Sequence, residues 1–486
     1  MKIYISFLLL FLTGLGVVSA QGPKYDLTFR PEKYTRQTVQ VGGETLTVRA
    51  YENVVYVEHP LDTSLQKLNI YVPEAYFEGK AVHGYTAATA PIFFPNRVGG
   101  YAPAQPANLR PGPRDGGKPS AVLVALANGY VVASAGARGR TTQDQAHVYI
   151  GKAPAALVDL KAAIRYLKFN DKNMPGDAAK IISNGTSAGG AMSTLLGATG
   201  NSNDYASYLE TLGAADATDD IFAVSAYCPI INLDHADMAY EWQFAGIHTY
   251  KRRGPPDANK PAAESELTAG QIDVSNELKV LFPAYLNQLK LKNEQGQLLT
   301  LDANGEGTFK ELVKSYVVAS AQRAFDRGVD MSPFPWITIS GGKVTQLDFA
   351  AYLKYLGRLK TPPAFDALDL ATPENQLFGN GAVDRRHFTD YGATHGSSGT
   401  MRAETVVVKM MNPMDYVGKP SATTATHWRI RHGAKDSDTS LAISLMFATL
   451  LRNNGIQVDY ALPWAVTHSG DYDLDELTAW IDQICR

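Results

Sequence analysis

Short apolar runs and amphipathic segments alternate along the first half of the chain. Residues 154–169 begin with Pro154, which suits the first turn of a helix, and have Leu157, Leu160, Ile164 and Leu167 at spacings of three and four. This pattern predicts an amphipathic helix. Six short apolar runs are typical of buried strands: residues 54–57, 68–72, 91–94, 130–134, 181–183 and 222–226. Between about residues 45 and 235 the pattern therefore predicts an α/β protein, with one sheet and helices packed on it.

The composition of the chain changes in its middle third. Residues 232–412 are rich in Pro, Gly, Lys and polar residues, and their helical pieces are interrupted. After residue 412 the alternation of strands and helices returns, with strands predicted at 427–431 and 457–462 and helices at 441–451 and 474–484. We therefore predict a core built from residues 21–231 and 413–486, with residues 232–412 inserted into it.

The N-terminus has the features of a secretory signal peptide. Lys2 gives a positive start, residues 7–18 are apolar, and the small residues Ser19 and Ala20 precede Gln21. We expect residues 1–20 to be removed after Ala20 and the mature protein to be secreted or periplasmic. No later run approaches 18 consecutive apolar residues, which argues against stable membrane insertion.

Composition narrows the classes of function further. The 45 Lys and Arg against 48 Asp and Glu give a net charge of −3, which argues against a nucleic-acid partner. At 45% hydrophobic and 19% charged, the chain is a folded globular protein rather than a disordered one. The two cysteines, Cys228 and Cys485, are too few for a disulfide scaffold, and their spacing leaves open whether they pair. No HExxH motif or paired Cys/His cluster is present, so neither a metal nor a cofactor is expected.

The strongest local motif surrounds Ser187. A predicted strand ending at residue 183 runs into G-T-S-A-G at 185–189 and then into a helix of small residues. This is the context of a nucleophile elbow, in which a tight turn lifts the serine clear of the sheet. Glycines flank the serine because side chains there would collide with the neighbouring strand or helix. Ser187 is therefore the predicted nucleophile.

A serine nucleophile needs a base and an acid that orients the base. In this fold type the chain order is serine, acid, histidine, each on a loop after a later strand. His468 follows the predicted strand 457–462, and Asp436 follows the strand 427–431, with Asp438 as its competitor. His432 precedes both aspartates and is out of order for the base.

Two backbone N–H groups are expected to stabilise the oxyanion. One belongs to Ala188, the residue after the nucleophile, and the other to a glycine-rich loop after an early strand. Residues 92–101 supply such a loop, with either Gly99 or Gly100 as the donor.

Several longer motifs resemble those of the bacterial tannases, serine esterases that release gallic acid from galloyl esters. They extend over nearly all of the predicted mature chain: V-G-G-Y at 98–101, N-G-T-S-A-G-G-A-M-S at 184–193, Y-C-P-I-I-N-L-D-H-A-D-M-A-Y-E-W at 227–242, P-A-F-D at 363–366, P-E-N-Q-L-F-G at 373–379, N-P-M at 412–414 and R-H-G-A-K-D-S-D at 431–438. The resemblance implies an α/β-hydrolase fold with a large inserted lid and a small phenolic ester as the substrate.

The resemblance also implies residues that hold the galloyl ring. The family's lysine, its glutamate and the second aspartate of its D-x-D pair match Lys360, Glu374 and Asp438, with Pro373 beside the glutamate. Carboxylates suit phenolic O–H donors, and an ammonium group suits a phenolic oxygen. This role for Asp438 leaves Asp436 as the acid of the triad. Without the resemblance, Lys360 and Glu374 would be interpreted as exposed charges.

Three alternatives stay open at this point. A feruloyl-type or general aryl carboxylesterase would share the triad and differ only in the pocket. A peptidase is less well supported, because no β-rich companion domain accompanies the core. The third is a non-catalytic adhesion module, which α/β-hydrolase folds also provide and which would cleave no ester at all.

Overall fold

The computed structural model describes residues 24–110, 119–251, 264–397, 399 and 401–486. The predicted signal peptide, residues 1–20, lies outside these ranges. No helix within them has the length and apolar character that crossing a membrane requires.

The first half of the described chain alternates strands and helices, as its apolar pattern predicts. Its elements are β1 (Thr35–Val41), β2 (Glu44–Val55), β3 (Lys67–Pro73), β4 (Pro91–Pro95), α1 (Ala121–Ala127), β5 (Val131–Ala135), α2 (Ala155–Phe169), β6 (Asp177–Thr186), α3 (Ala188–Ala198), α4 (Ala206–Thr211) and β7 (Ala223–Tyr227). The predicted helix at 154–169 is α2, and its apolar positions are buried. Each of the six apolar runs contributes residues to a strand.

The chain enters the sheet earlier than predicted. The apolar pattern places the start of the α/β segment near residue 45, yet β1 and β2 form an antiparallel hairpin in which Thr35 pairs with Ala50. Gly42 and Gly43 make its turn with φ of 58° and 88°, angles that favour glycine. The physical reason for the error is the exposure of this edge, where polar residues alternate with half-buried ones and no continuous apolar run forms.

The middle of the chain forms mostly helices beside the sheet. Its elements are α5 (Leu233–Phe244), β8 (Thr249–Lys251), β9 (Glu264–Glu266), α6 (Ala269–Lys279), α7 (Phe282–Gln288), α8 (Thr308–Asp326), β10 (Ile337–Ser340), β11 (Lys343–Leu347), α9 (Phe349–Leu356), α10 (Pro373–Leu377), α11 (Asp390–His395) and α12 (Thr405–Met410). In the part of the chain that the structure describes, these strands form two two-stranded sheets, β8 with β9 and β10 with β11.

The last part of the chain returns to the sheet at the predicted positions. Its elements are β12 (His427–Arg431), α13 (Leu441–Asn453), β13 (Gln457–Ala461) and α14 (Leu474–Cys485). The nine strands of the main sheet lie in the order β1-β2-β3-β5-β4-β6-β7-β12-β13, parallel from β5 to β13.

The register of the parallel strands brings their carboxyl ends to one level. Thr186 at the end of β6 pairs with Tyr227, Tyr227 pairs with Arg431, and Arg431 pairs with Ala461. The loops that carry Ser187, Asp436 and His468 therefore leave the sheet side by side. Ligands of open α/β sheets bind at this edge.

Candidate active site

Ser187 lies in a strained turn between β6 and α3. Its backbone angles are φ 62° and ψ −122°, a region that non-glycine residues adopt rarely. The turn is held because the Ser187 N–H donates to Tyr227 O at 3.0 Å, and Ala191 N–H donates back to Ser187 O at 2.9 Å. The strain is the geometric signature of a nucleophile elbow.

The glycines around Ser187 are required by close backbone contacts. A Cβ on Gly185 would lie 2.3 Å from Gly189 O, and a Cβ on Gly189 would lie 2.8 Å from Val98 O. Asn96 tightens the same region by donating from Nδ2 to Gly189 O at 2.9 Å. The loop after β4 thus rests directly against the elbow, and Asn96 is a supporting residue that the sequence patterns did not reveal.

The structure brings the predicted base and acid to Ser187. His468 Nε2 lies 2.8 Å from Ser187 Oγ, and His468 Nδ1 lies 2.7 Å from Asp436 Oδ2. Asp438 Oδ2 is farther from the same nitrogen, at 3.8 Å. The geometry thus favours Asp436 as the group that orients the imidazole. His432 lies on the other side of Asp436, with 3.6 Å between Nε2 and Oδ2, and does not reach Ser187 by any described contact.

Burial and charge act in opposite directions on these groups. Burial opposes ionisation of Asp436, but the hydrogen bond from His468 and the neighbouring His432 outweigh it and hold the pKa of Asp436 below its ordinary value. Burial also disfavours the imidazolium of His468, but hydrogen bonds with Asp436 and Cys228 and the Asp436 charge raise the pKa of His468 above its ordinary value. A buried carboxylate therefore strengthens the imidazole as a proton acceptor.

The predicted oxyanion donors border open space. A Cβ built on Gly99 or on Gly100 meets no atom within 4 Å, and both glycines are exposed. The preceding N–H, that of Val98, is directed to Asn96 Oδ1 at 3.3 Å. Ala188 begins α3, where backbone N–H groups have no partner within the helix. The roles of these three residues as donors stay predictions.

Arg140 joins this loop to the middle segment of the chain. Its Nε donates to Gly100 O at 2.8 Å, and its Nη1 donates to Gln376 Oε1 in α10. Its charge also acts on Glu374 in the same helix. The sequence patterns gave no signal for Arg140, because its two contacts lie far away along the chain.

The residues assigned to the galloyl ring come from three parts of the chain: Lys360 from the segment between α9 and α10, Glu374 from α10, and Asp438 from the loop after β12. Glu374 is 8% exposed, and burial raises its pKa against the favourable charges of Lys360 and Arg140. The charge of Asp438, whose Oδ2 lies 3.8 Å from His468 Nδ1, acts on the same carboxyl group. Pro373, the first residue of α10, is exposed. Glu374 is thus buried rather than an exposed surface charge.

Buried side chains fix the backbone that carries Lys360. The Tyr240 hydroxyl donates to Ser437 O at 3.0 Å and accepts from Lys360 N–H at 3.2 Å, which ties the Asp436–Asp438 loop to the lysine. Arg358 is fully buried against Glu241, and its Nε donates to Lys360 O at 2.8 Å.

A second buried network fixes α10. Asp366 accepts hydrogen bonds from Asn375 Nδ2 at 2.6 Å and from Thr389 N–H at 2.8 Å, and it lies 2.7 Å from His387 Nδ1. Asn375 is the residue after Glu374, so this network sets the position of the glutamate. Asp237 supports it by accepting from Asp366 N–H at 3.0 Å, and burial raises the pKa of Asp237 to about 7.

Both cysteines are buried free thiols, so the pairing that the sequence left open does not occur. Cys228 follows β7 directly and lies beside His468 and Ser469. Cys485 ends α14.

Comparison with solved structures gives matches over almost the whole chain. A structure described as tannin acyl hydrolase from Lactobacillus plantarum is 47% identical with a TM-score of 0.91, and the match covers 95% of this chain and 99% of that one. A Fusobacterium nucleatum tannase is 48% identical with a TM-score of 0.91, over 95% and 100% of the two chains. A tannin acyl hydrolase in complex with ethyl gallate is 47% identical with a TM-score of 0.90, over 95% and 99%.

Two further comparisons concern sequence alone. The sequence-family model BD-FAE matches residues 115–251, a stretch that includes the elbow. No curated protein matches the chain. Identity near one half over 95% of the chain, with TM-scores of 0.91, establishes the family: the chain belongs to the tannases and is a carboxylic ester hydrolase with an α/β-hydrolase fold.

Proposed function

We propose that this chain hydrolyses galloyl esters through an acyl-enzyme formed on Ser187. The observation that carries the proposal is the pair of hydrogen bonds, at 2.8 Å and 2.7 Å, that joins Ser187 to His468 and His468 to Asp436 on a strained elbow. The similarity to a tannin acyl hydrolase solved with ethyl gallate supports the galloyl group as the acyl part of the substrate.

The first step forms the acyl-enzyme. His468 Nε2 takes the proton of the Ser187 hydroxyl as its oxygen attacks the ester carbonyl. Ala188 N–H and an N–H of Gly99 or Gly100 hold the oxygen that becomes negative. Asp436 keeps the Nδ1 proton facing it and stabilises the imidazolium, which then protonates the departing alcohol.

The second step releases the acid. Water enters where the alcohol has left, and His468 takes its proton while the water oxygen attacks the acyl carbonyl. Collapse of this intermediate returns the proton to Ser187 Oγ and frees the carboxylic acid. Side chains and backbone N–H groups of this chain, together with water, supply every group that the two steps require.

The acyl ring is held by Lys360, Glu374 and Asp438. Carboxylates accept hydrogen bonds from phenolic O–H groups, and a substrate without those hydroxyls cannot make these hydrogen bonds. Arg140 and Lys360 balance the charge of Glu374 before substrate binds. The site is thus suited to a ring with neighbouring hydroxyls, and less to a methoxylated or unsubstituted ring.

We also propose the domain division and the location of the protein. Residues 232–412 form a lid on a core of residues 21–231 and 413–486, since in the described residues no strand between β7 and β12 joins the main sheet. The N-terminal pattern of residues 1–20 supports export to the periplasm or the medium.

Substrate preference tests the proposal. Purified residues 21–486 are expected to hydrolyse methyl gallate with a kcat/KM about 10³-fold above that for methyl benzoate, because methyl benzoate lacks the ring hydroxyls that Lys360, Glu374 and Asp438 are proposed to bind. Glu374→Ala and Asp438→Ala are each expected to reduce that ratio by about 10- to 100-fold. The initial rates of hydrolysis of methyl gallate, methyl benzoate and methyl ferulate give these ratios.

A matched control separates ring recognition from damage to the triad. The two variants are expected to keep their rates on methyl benzoate within about threefold, because no ring hydroxyl contacts either residue there. Equal rates on ferulate and gallate would contradict galloyl recognition and indicate a feruloyl-type or general aryl carboxylesterase. Absence of any ester hydrolysis would contradict the mechanism as well.

The raised pKa of Glu374 predicts a pH dependence of galloyl binding. Because burial raises this pKa above its ordinary value, protonation replaces the carboxylate by a neutral carboxyl group, a weaker acceptor for phenolic O–H groups, at pH values where an exposed glutamate is still ionised. The kcat/KM ratio of methyl gallate to methyl benzoate is therefore expected to fall as the pH drops from about 7 toward about 4.5. Taking the ratio cancels the titration of His468, which both esters share.

Glu374→Gln is the control for this titration. The amide keeps the size of the side chain but cannot titrate, so the ratio is expected to be lower and independent of pH over the same range. A ratio that falls with pH in the variant as steeply as in the parent protein would show that another group titrates.

A further inference from the structure

The proposed mechanism leaves one chemically reactive side chain in the centre of the site unused. Cys228 follows the last residue of β7, next to the strand that leads to Ser187. Its φ of 37° lies in the left-handed region, and its N–H donates to Arg431 O at 2.6 Å. The thiol donates to Ser469 O at 3.5 Å, so it points toward the loop that carries His468.

The thiol lies in a group of three side chains that could bind a metal ion. Sγ of Cys228, a carboxylate oxygen of Asp436 and a ring nitrogen of His468 all lie within 4.8 Å of one another. Thiolate, imidazole and carboxylate are the ligand types that Zn²⁺ accepts, and the thiolate also favours Cd²⁺. Ligands at zinc distances stand about 3.5 Å apart, so the three atoms need to move together by about 1 Å.

Charge balance favours the same ions. Cys228 is 1% exposed and Asp436 is fully buried, so an ion with uncompensated charge would be unstable there. A divalent cation bound to one thiolate, one carboxylate and one neutral imidazole gives a site of zero net charge. Among the residues that the structure describes, this is the group of three His, Cys and acidic side chains whose ligand atoms lie close enough together to hold a metal ion after a small movement.

We propose that Cys228, Asp436 and His468 form an inhibitory binding site for a thiophilic divalent cation such as Zn²⁺ or Cd²⁺. The thiol proton passes to solvent as the metal–sulfur bond forms, and no group is oxidised or reduced. The imidazole lone pair that would accept the Ser187 proton is then occupied or turned away. Ester hydrolysis stops, and a chelator that removes the ion restores it. The inhibition, but not the binding, rests on the proposed role of His468.

The small number of cysteines lets a binding test identify which thiol binds the metal ion. The chain has two cysteines, so Cys228→Ser removes the soft ligand, and Cys485→Ser is the matched control at a buried free thiol in α14. Titration of each full-length variant with Cd²⁺ alone is followed by the ultraviolet absorption of the cadmium–thiolate bond. We expect one equivalent per chain in the parent protein and in Cys485→Ser, and no such absorption in Cys228→Ser.

Inhibition is measured with Zn²⁺ and 4-nitrophenyl acetate, an ester without neighbouring ring hydroxyls that could chelate the ion. Rates are expressed relative to the same variant without metal. Cys228→Ser is expected to need at least about 10-fold more Zn²⁺ for half-inhibition than the parent protein, and Cys485→Ser the same amount. Thermal unfolding shows whether Cys228→Ser and Cys228→Ala are folded. If Cys228→Ser does not fold, Cys228→Ala replaces it in both measurements.

Each outcome decides the proposal. Absent cadmium–thiolate absorption in the parent protein, or equal Zn²⁺ sensitivity of Cys228→Ser and the parent, would overturn it. Ser187→Ala separates the two proposals, since it is expected to bind Cd²⁺ with the parent's absorption while hydrolysing no ester. If Ser187→Ala binds the ion but remains active, the mechanism fails and the metal site stands.

Discussion

Replacement of Ser187 by alanine is expected to lower kcat on methyl gallate by at least about 10³-fold. The hydroxyl is the only group of that residue that reaches His468, and its loss removes the atom on which the acyl-enzyme forms. Backbone hydrogen bonds hold the turn itself, from Ser187 N–H to Tyr227 O and from Ala191 N–H to Ser187 O, and alanine keeps both. Initial rates and a thermal unfolding curve of the same preparation measure the two effects.

The stability control decides how a low rate is interpreted. The Tm of Ser187→Ala is expected to stay within about 2 °C of the parent value, because the exchange removes one side-chain hydrogen bond from a partly exposed site. A variant with the parent's Tm and a rate within about tenfold of the parent's would exclude Ser187 as the nucleophile.

Asp436→Asn is also expected to remove most of the activity. Asp436 accepts the Nδ1 proton of His468 at 2.7 Å, which leaves Nε2 free to take the proton of Ser187. An amide in its place can donate to Nδ1 and stabilise the opposite tautomer, so kcat is expected to fall by about 10⁴-fold. The same fall is expected on methyl gallate and methyl benzoate, because both esters need the same base.

Asp438→Asn is the matched control for this prediction. It removes a carboxylate two residues away, whose oxygen lies 3.8 Å from the same nitrogen. We expect it to raise KM for methyl gallate and to change kcat on methyl benzoate by less than about threefold. A larger loss on methyl benzoate in Asp438→Asn than in Asp436→Asn would reverse the assignment of the two aspartates.

The parallel half of the sheet was predictable from the sequence because its strands are buried on both faces. The runs at 181–183, 222–226 and 427–431 each became a strand at that position. The β1–β2 edge was missed because exposed strands keep polar residues on one face. The middle segment was predicted only as a change of composition with interrupted helical pieces, since its sequence lacks the regular alternation of apolar runs that marks the core.

The site residues likewise divide into those that the local sequence pattern predicts and those that it does not. Ser187, Asp436 and His468 were found because each follows a recognisable strand, so local pattern and chain order were sufficient. Lys360, Glu374 and Asp438 depended on the family resemblance.

Supporting residues gave no local signal. Arg140 contacts Gln376 far along the chain, and Tyr240 links Ser437 to Lys360. Such buried polar contacts are visible only in the folded chain, because the residues that form them are far apart in the sequence.

The acyl-enzyme itself tests the central claim most directly. Methyl gallate is mixed with the enzyme, the reaction is quenched rapidly in acid, and the peptides are mapped by mass. We predict one galloyl group per chain, attached to the peptide that contains Ser187, and none in Ser187→Ala. A galloyl group on another residue, or steady hydrolysis with no adduct on Ser187 at any quench time, would contradict the mechanism.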